Sequence, residues 1–269
     1  MDEISYNLIM QSVKKMAEQT SLLFCAEPAL SEKGSLTPEK ILKEVFGYKN
    51  FRPLQKEIIK NILDGRDTLA VLPTGGGKSL CYQIPALMLE GITIVISPLI
   101  SLMQDQVEQL KENGIDADFL NSSLDYTSYI LTSNKIKSGK TKILFLSPEG
   151  FRSKRTQELL HSQNVKVSLI AIDEAHCISE WGHDFRPDYL EIATIRKQFP
   201  KSACLALTAS ATAQVRKDII KNLGMESPAI LISSFNRPNI FLTVEQKTFP
   251  YEQVLSFIQK HCCFTQEKT

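Results

Sequence analysis

The chain has 269 residues, with 31 Lys and Arg against 30 Asp and Glu and a net charge of +1 at pH 7. That length suits one or two domains with a substantial core, and the near-zero balance excludes a nucleic-acid partner announced by bulk charge, so any basic binding surface must be local. No apolar run approaches membrane-spanning length, and Asp2 and Glu3 without a long apolar core make a poor secretory signal. An intracellular protein without a membrane partner is expected, in cytoplasm or nucleoid if bacterial and in the nucleus if eukaryotic.

Residues 1–35 read as an N-terminal appendage and linker: Ile4, Leu8, Ile9, Val13 and Met16 fall near helical spacing, and 28–34 is linker-like. Thr37 followed by Pro38 predicts a helix N-cap with proline in the first helical position, opening a helix through Ile41, Leu42 and Val45. The segment 46–55 follows, then an amphipathic helix through Ile58, Ile59 and Ile62 that stops near Gly65. The Gln55 amide can give and take a hydrogen bond at once, which suits the edge of adenine, and Tyr48 or Arg52 could stack on the ring.

The apolar run 68–72 reads as a buried strand and 80–89 as a helix, with Leu72-Pro73-Thr74-Gly75-Gly76-Gly77-Lys78-Ser79 on the turn between them. Glycines let successive N–H groups turn inward around phosphate oxygens, and the helix N-terminus adds partial positive charge. Lys78 can reach terminal phosphates and the Ser79 hydroxyl can join the shell of a magnesium ion, which predicts ATP and Mg2+ as cofactors. The general phosphate-loop pattern has Gly where Leu72 stands; the rest is intact.

Beyond this turn, candidate strands at 92–97, 117–120, 143–147, 169–172, 204–208 and 229–233 alternate with helices that include 102–113, stopped by Gly114, and 213–222, stopped by Gly224. The expected class is α/β: a mainly parallel sheet with helices on both faces. In such sheets ligands bind beyond the carboxyl ends of the strands, so Asp173-Glu174-Ala175-His176, at the end of 169–172, falls on the edge that carries the phosphate loop. Asp173 can hold magnesium directly or through water, and Glu174 can orient or deprotonate the water that attacks the terminal phosphate. Trp181, Phe185 and Tyr189 follow in a loop-like segment with His183 and Arg186, and nucleic-acid bases stack on such aromatics.

The cysteines Cys25, Cys81, Cys177, Cys204, Cys262 and Cys263 are scattered apart from the last pair, so neither a zinc pattern nor a disulfide framework emerges and reduced thiols are expected. His261-Cys262-Cys263 are neighbours whose side chains rarely converge on one tetrahedral ion.

Over roughly 36–260 the chain resembles the DEAH-box branch of superfamily 2 helicases, and more closely the RecQ family of DNA helicases. The resemblance rests on the phosphate loop, on Asp173-Glu174-Ala175-His176, and on Cys177-Ile178-Ser179-Glu180-Trp181-Gly182-His183-Asp184-Phe185-Arg186-Pro187-Asp188-Tyr189, which looks like the aromatic-rich loop of RecQ enzymes. It implies a RecA-like P-loop domain over 36–245, with 246–269 as the start of a truncated second lobe or a tail. By the same resemblance His176 joins Lys78, Asp173 and Glu174 in the hydrolytic site, and Arg52 and Gln55 contact adenine. Ser97 and Gln106 lie in a motif that touches single-stranded DNA backbone. Ser147-Pro148-Glu149 matches a further DNA-contact motif. Thr208 and Ser210 are hydroxyl links coupling hydrolysis to unwinding, with Ser210 where Thr is more usual. Phe235-Asn236-Arg237-Pro238-Asn239 matches the segment that closes the first lobe.

Helicases of that family need a second lobe carrying an arginine finger, and nothing after Thr212 resembles its Gly-Arg-rich motif. The implied function is the ATP-binding lobe of a 3′-to-5′ DNA helicase acting on single-stranded and partly duplex DNA in repair and recombination, weakly hydrolytic and without unwinding when alone. A non-catalytic DNA- or partner-binding module and an RNA-directed relative are the competing readings.

Overall fold

The computed structural model describes residues 36–121, 124–234, 240–241 and 243–261. The expectations for 1–35 and 235–239, and those for Cys25, Cys262 and Cys263, lie outside the described residues. Among the described residues seven strands form one sheet: β1 Thr68–Val71, β2 Ile92–Ile96, β3 Ala117–Leu120, β4 Ile143–Leu146, β5 Val167–Ile172, β6 Ala203–Thr208 and β7 Ala229–Ile232. Their order is β3-β4-β2-β5-β6-β1-β7 and each neighbouring pair runs parallel.

A parallel sheet covered on both faces needs no polar alternation, which is why β1, β2, β4 and β6 are buried along their whole length. The period of two survives as a division between two cores. Leu69, Val71, Ile94, Ile96, Ile170 and Ile172 enter one cluster. Ala70, Leu72, Val95, Leu169 and Ala171 enter the other.

The helices are α1 Pro38–Glu44, α2 Gln55–Leu63, α3 Leu80–Met88, α4 Ile100–Glu112, α5 Tyr126–Lys137, α6 Pro148–Arg152, α7 Lys154–Leu160, α8 Ile192–Arg196, α9 Ala213–Asn222 and α10 Pro250–His261, with 3-10 turns at Ala175–Ile178 and Pro187–Glu191. Thr37 caps α1 as expected, its hydroxyl accepting from Lys40 N at 3.3 Å. Strand β4 ends one residue before the expected Ser147, because that side chain turns away to cap α6, accepting from Gly150 N at 3.1 Å. Helix α4 starts two residues before the expected Leu102; Ile100 and Leu102 are both exposed, so the buried stripe Met103, Val107 and Leu110 marks the core face but not the first turn.

Compactness divides the chain into Met1–Ser233, which holds the sheet, and Ser234–Thr269, which holds α10. Within the latter, Phe241 lies 6.1 Å from Phe257 and 5.0 Å from His261, ring centre to ring centre. Among the described residues no helix is long and apolar enough to cross a membrane.

Candidate functional site

Between β1 and α3 the chain turns through Thr74, Gly75, Gly76 and Gly77, with Gly75 and Gly77 both at φ 76°. A side chain there would be strained, so the sequence spends glycine at those positions. The loop lines a cleft of about 650 Å³ together with Tyr48, Arg52, Asp173 and Glu174. Ser79 directly precedes α3 in helical conformation, and Lys78 reaches across to Glu174, Nζ to Oε1 3.5 Å.

Gln55, expected at the edge of adenine, lines the same cleft from the first residue of α2. The side chain is buried, its Oε1 accepts from Arg52 N at 2.8 Å, and its Nε2 donates to Gly77 O at 2.9 Å. The amide thus ties the start of α2 to the phosphate loop, and Gln55, Arg52 and the half-exposed Tyr48 all line the cleft.

Strand β5 delivers the acidic pair. Asp173 N donates to Ile96 O at 2.8 Å, and the Tyr189 hydroxyl donates to Asp173 O at 3.2 Å, so the backbone is held from two sides. Burial, and secondarily the Glu174 charge, push the Asp173 carboxyl pKa up, with Lys78 opposing. Its Oδ1 is buried without a hydrogen-bond partner. A buried, unpartnered carboxylate oxygen beside Ser79 in the cleft lining fits a magnesium ion whose other ligands are phosphate and water. Among the described residues no group of three or more His, Cys, Asp or Glu converges.

Glu174 takes a left-handed backbone, φ 46° and ψ 44°, a conformation that costs a non-glycine residue about 1–3 kcal/mol. The turn swings the chain into the 3-10 segment Ala175–Ile178, which brings His176 back beneath the carboxylate: Nδ1 is 3.2 Å from Glu174 Oε2. That hydrogen bond, more than the Lys78 charge, holds the Glu174 carboxyl below its ordinary range against the opposing effect of burial. His176 Nδ1 is also 2.9 Å from Thr208 Oγ1. Thr208 donates its one proton to Ser210 O at 3.0 Å, so Nδ1 must carry a proton and donate. The hydroxyl also accepts from Ser210 N at 3.3 Å. Thr208 ends β6, which the sheet order sets between β1 and β5, so Lys78, Glu174, His176, Thr208 and Ser210 form one connected chain.

The aromatic segment is built off this chain. His183 stacks on His176 at 4.1 Å with 19° between the rings. Arg186 bonds Asp184 at 3.1 Å and donates to Pro98 O at 3.3 Å. Trp181 is 76% exposed and Phe185 is half-buried, whereas Tyr189, grouped with them as a stacking side chain, is fully buried and acts as a strut under Asp173. Ser97 is buried with no partner for its hydroxyl, and Gln106 Oε1 accepts from Gln83 Nε2 at 3.5 Å; both line the cleft. Gln83 was not singled out from sequence, since only the crossing of α3 and α4 gives it a partner. The thiols Cys81, Cys177 and Cys204 are buried and unpaired, each pushed up to about 12 chiefly by burial.

The family model for the DEAD/DEAH box helicase matches residues 52–219, more than half of the chain. The ATP-dependent DNA helicase RecQ of Pasteurella multocida is 50% identical over 218 residues, 81% of this chain and 34% of that protein. The ATP-dependent helicase SGS1 of Saccharomyces cerevisiae is 45% identical over 215 residues, 77% of this chain and 15% of that protein. The chain thus spans about a third or less of the length of these curated relatives. In fold it is similar to the DEAD-box helicase Mss116 bound to ssRNA and UDP-BeF, with TM-score 0.57 and 18% identity over 76% of this chain and 44% of that one. With the glycine loop 74–79, Asp173, Glu174, Thr208 and Ser210 all inside the matched segment, the chain belongs to the DEAD/DEAH box helicase family.

Proposed function

We propose that this chain is the ATP-binding lobe of a RecQ-type 3′-to-5′ DNA helicase, coupling ATP hydrolysis to movement along single-stranded DNA and to duplex unwinding in repair and recombination. The observation that carries the reading is the connected chain from Lys78 through Glu174 and His176 to Thr208 and to the His183 stack, because it joins a phosphate cradle to an exposed Trp181. In this reading residues 36–245 are the RecA-like domain and 246–269 belong to the opening of a second lobe.

Thr74 to Ser79 hold the triphosphate, Arg52 and Tyr48 flank the base, and Ser79 and Asp173 hold magnesium, which screens phosphate charge. Glu174, with its carboxylate kept ionised by His176, orients or deprotonates the attacking water. Gln106 on α4 contributes to the DNA side, the buried Ser97 supports the segment leading into α4, and Trp181, His183, Phe185 and Arg186 sense the bound strand. An arginine finger supplies about 10³–10⁵ in rate in related phosphoryl transfers. Supplied here by the second lobe, it leaves this segment alone a slow ATPase that does not unwind.

ATP turnover of the isolated chain, measured without nucleic acid, with single-stranded DNA and with RNA, alongside strand separation, tests this. Slow, DNA-stimulated turnover without unwinding is expected; robust unwinding by the chain alone would sink the missing-finger argument, and stimulation by RNA alone would reassign the substrate. Lys78→Ala should abolish nucleotide binding or turnover, and unchanged turnover would reject the phosphate-loop assignment.

A further inference from the structure

Helix α5 follows β3, and the short helices α6 and α7 follow β4, the adjacent parallel strand, so these helices gather on the sheet edge that carries the phosphate loop and Asp173. Three side chains come together there. The Arg155 guanidinium carbon lies 3.4 Å from the Tyr129 ring centre and 5.2 Å from that of Tyr126. Tyr129 is half-buried against the core and its hydroxyl donates to Arg155 O at 3.1 Å, which explains it as a staple between α5 and α7. Tyr126 has no such explanation: it is 72% exposed. Among the described residues no carboxylate pairs with Arg155, whereas the neighbouring Arg152 is bound to Glu191 at 2.7 Å and Lys154 to Glu158 at 4.0 Å.

The cluster is physically continuous with the aromatic segment. Arg152 lies 3.6 Å from Asp188, in the 3-10 turn Pro187–Glu191 that follows Arg186, so the short helices α6 and α7 are moored to the end of that loop. Trp181 follows β5 and Tyr126 follows β3; the strands are three spacings apart, roughly 14 Å along one edge. An exposed tyrosine ring backed by a guanidinium with no carboxylate partner among the described residues offers bases a surface to stack on and phosphates a cation to pair with, with little regard for base identity.

We propose that Tyr126 and Arg155 form a second stacking platform for single-stranded DNA, on the same sheet edge as Trp181 and several nucleotides away from it along the strand. The inference rests on the reading of this chain as a DNA-binding lobe. The test is fluorescence anisotropy of the full chain with fluorescein-labelled oligothymidines of graded length, comparing wild type, Tyr126→Ala, Tyr126→Phe and Arg155→Ala, each checked by thermal unfolding. For long oligonucleotides Tyr126→Ala should weaken binding by about fivefold or more, the low end of one base–aromatic stack, and Tyr126→Phe should restore it. Oligonucleotides too short to leave the Trp181 region should bind both equally. Arg155→Ala should in addition lower the salt dependence of binding by about one counterion. Equal binding of wild type and Tyr126→Ala at every length overturns the platform while leaving the DNA-binding reading intact. No binding of wild type at any length overturns that reading and the platform with it.

Discussion

Replacing Asp173 with Asn should stabilise the nucleotide-free protein and, on the role proposed for this residue, abolish binding of magnesium-ATP. The side chain is half-buried at the cleft, and its Oδ1 is buried and meets no donor. A buried polar group left without its partner costs about 1–3 kcal/mol, and a charged one more, so a neutral side chain of the same shape should recover about 1–2 kcal/mol. Because the folded pKa is raised above the ordinary value of 3.8, the contribution of Asp173 to stability is fully present below that value and is lost as pH rises through the raised one. Asn does not titrate, so the advantage of the variant should be full at neutral pH and should close in acid. Glu174, whose folded pKa is lowered, contributes stability above its ordinary 4.5 that is lost as pH falls through the lowered value, and both proteins carry that loss. Urea unfolding at neutral and acid pH reads the difference as a shift in midpoint at constant slope. Saturating magnesium-ATP should reverse the order, since ligand at a hundred times its Kd adds about 2.7 kcal/mol to the wild type alone. A variant less stable than wild type at neutral pH without nucleotide, or a gap that persists in acid, would refute the reasoning.

Two further substitutions probe the coupling chain. Thr208→Val keeps the shape of a fully buried side chain but strips partners from His176 Nδ1, Ser210 N and Ser210 O; a loss of about 1–3 kcal/mol in urea unfolding is expected, with DNA stimulation of turnover reduced more than basal turnover. Equal loss of both rates would assign Thr208 to hydrolysis alone. Gly182→Ala would set a methyl 2.5 Å from His176 O and 3.0 Å from Ser179 O, both backbone atoms, so the loop must shift; destabilisation of about 1–3 kcal/mol is expected. Trp181 fluorescence should change with it, and an unchanged spectrum and stability would mean that the loop yields without strain.

Much of the fold is written locally. Buried strands announce themselves as apolar runs, Thr37-Pro38 and Gly114 mark helix ends, and Gly75 and Gly77 occupy the positive φ that the phosphate loop demands. Each signal depends on a residue and its immediate neighbours, so one-dimensional reading captures it. Tyr189 shows where that reading ends: its aromatic character suits stacking equally well, and only the packing under Asp173 makes it a strut. Gln55 likewise has an amide suited to adenine, and only the fold shows that it also ties Arg52 to Gly77.

By itself the sequence determined the α/β class, the phosphate loop, the acidic pair and the aromatic segment, because the chemistry of each resides in contiguous residues. The tertiary structure alone decided how they connect. Lys78 meets Glu174 across 96 positions and His176 meets Thr208 across 32. Both contacts follow from a strand order that inserts β6 between β1 and β5. The Arg155 stack on Tyr126 and Tyr129 arises in the same way, from β3 and β4 lying side by side. Such contacts are set by the pairing of strands distant in sequence, a property of the whole sheet that no local pattern of residues encodes.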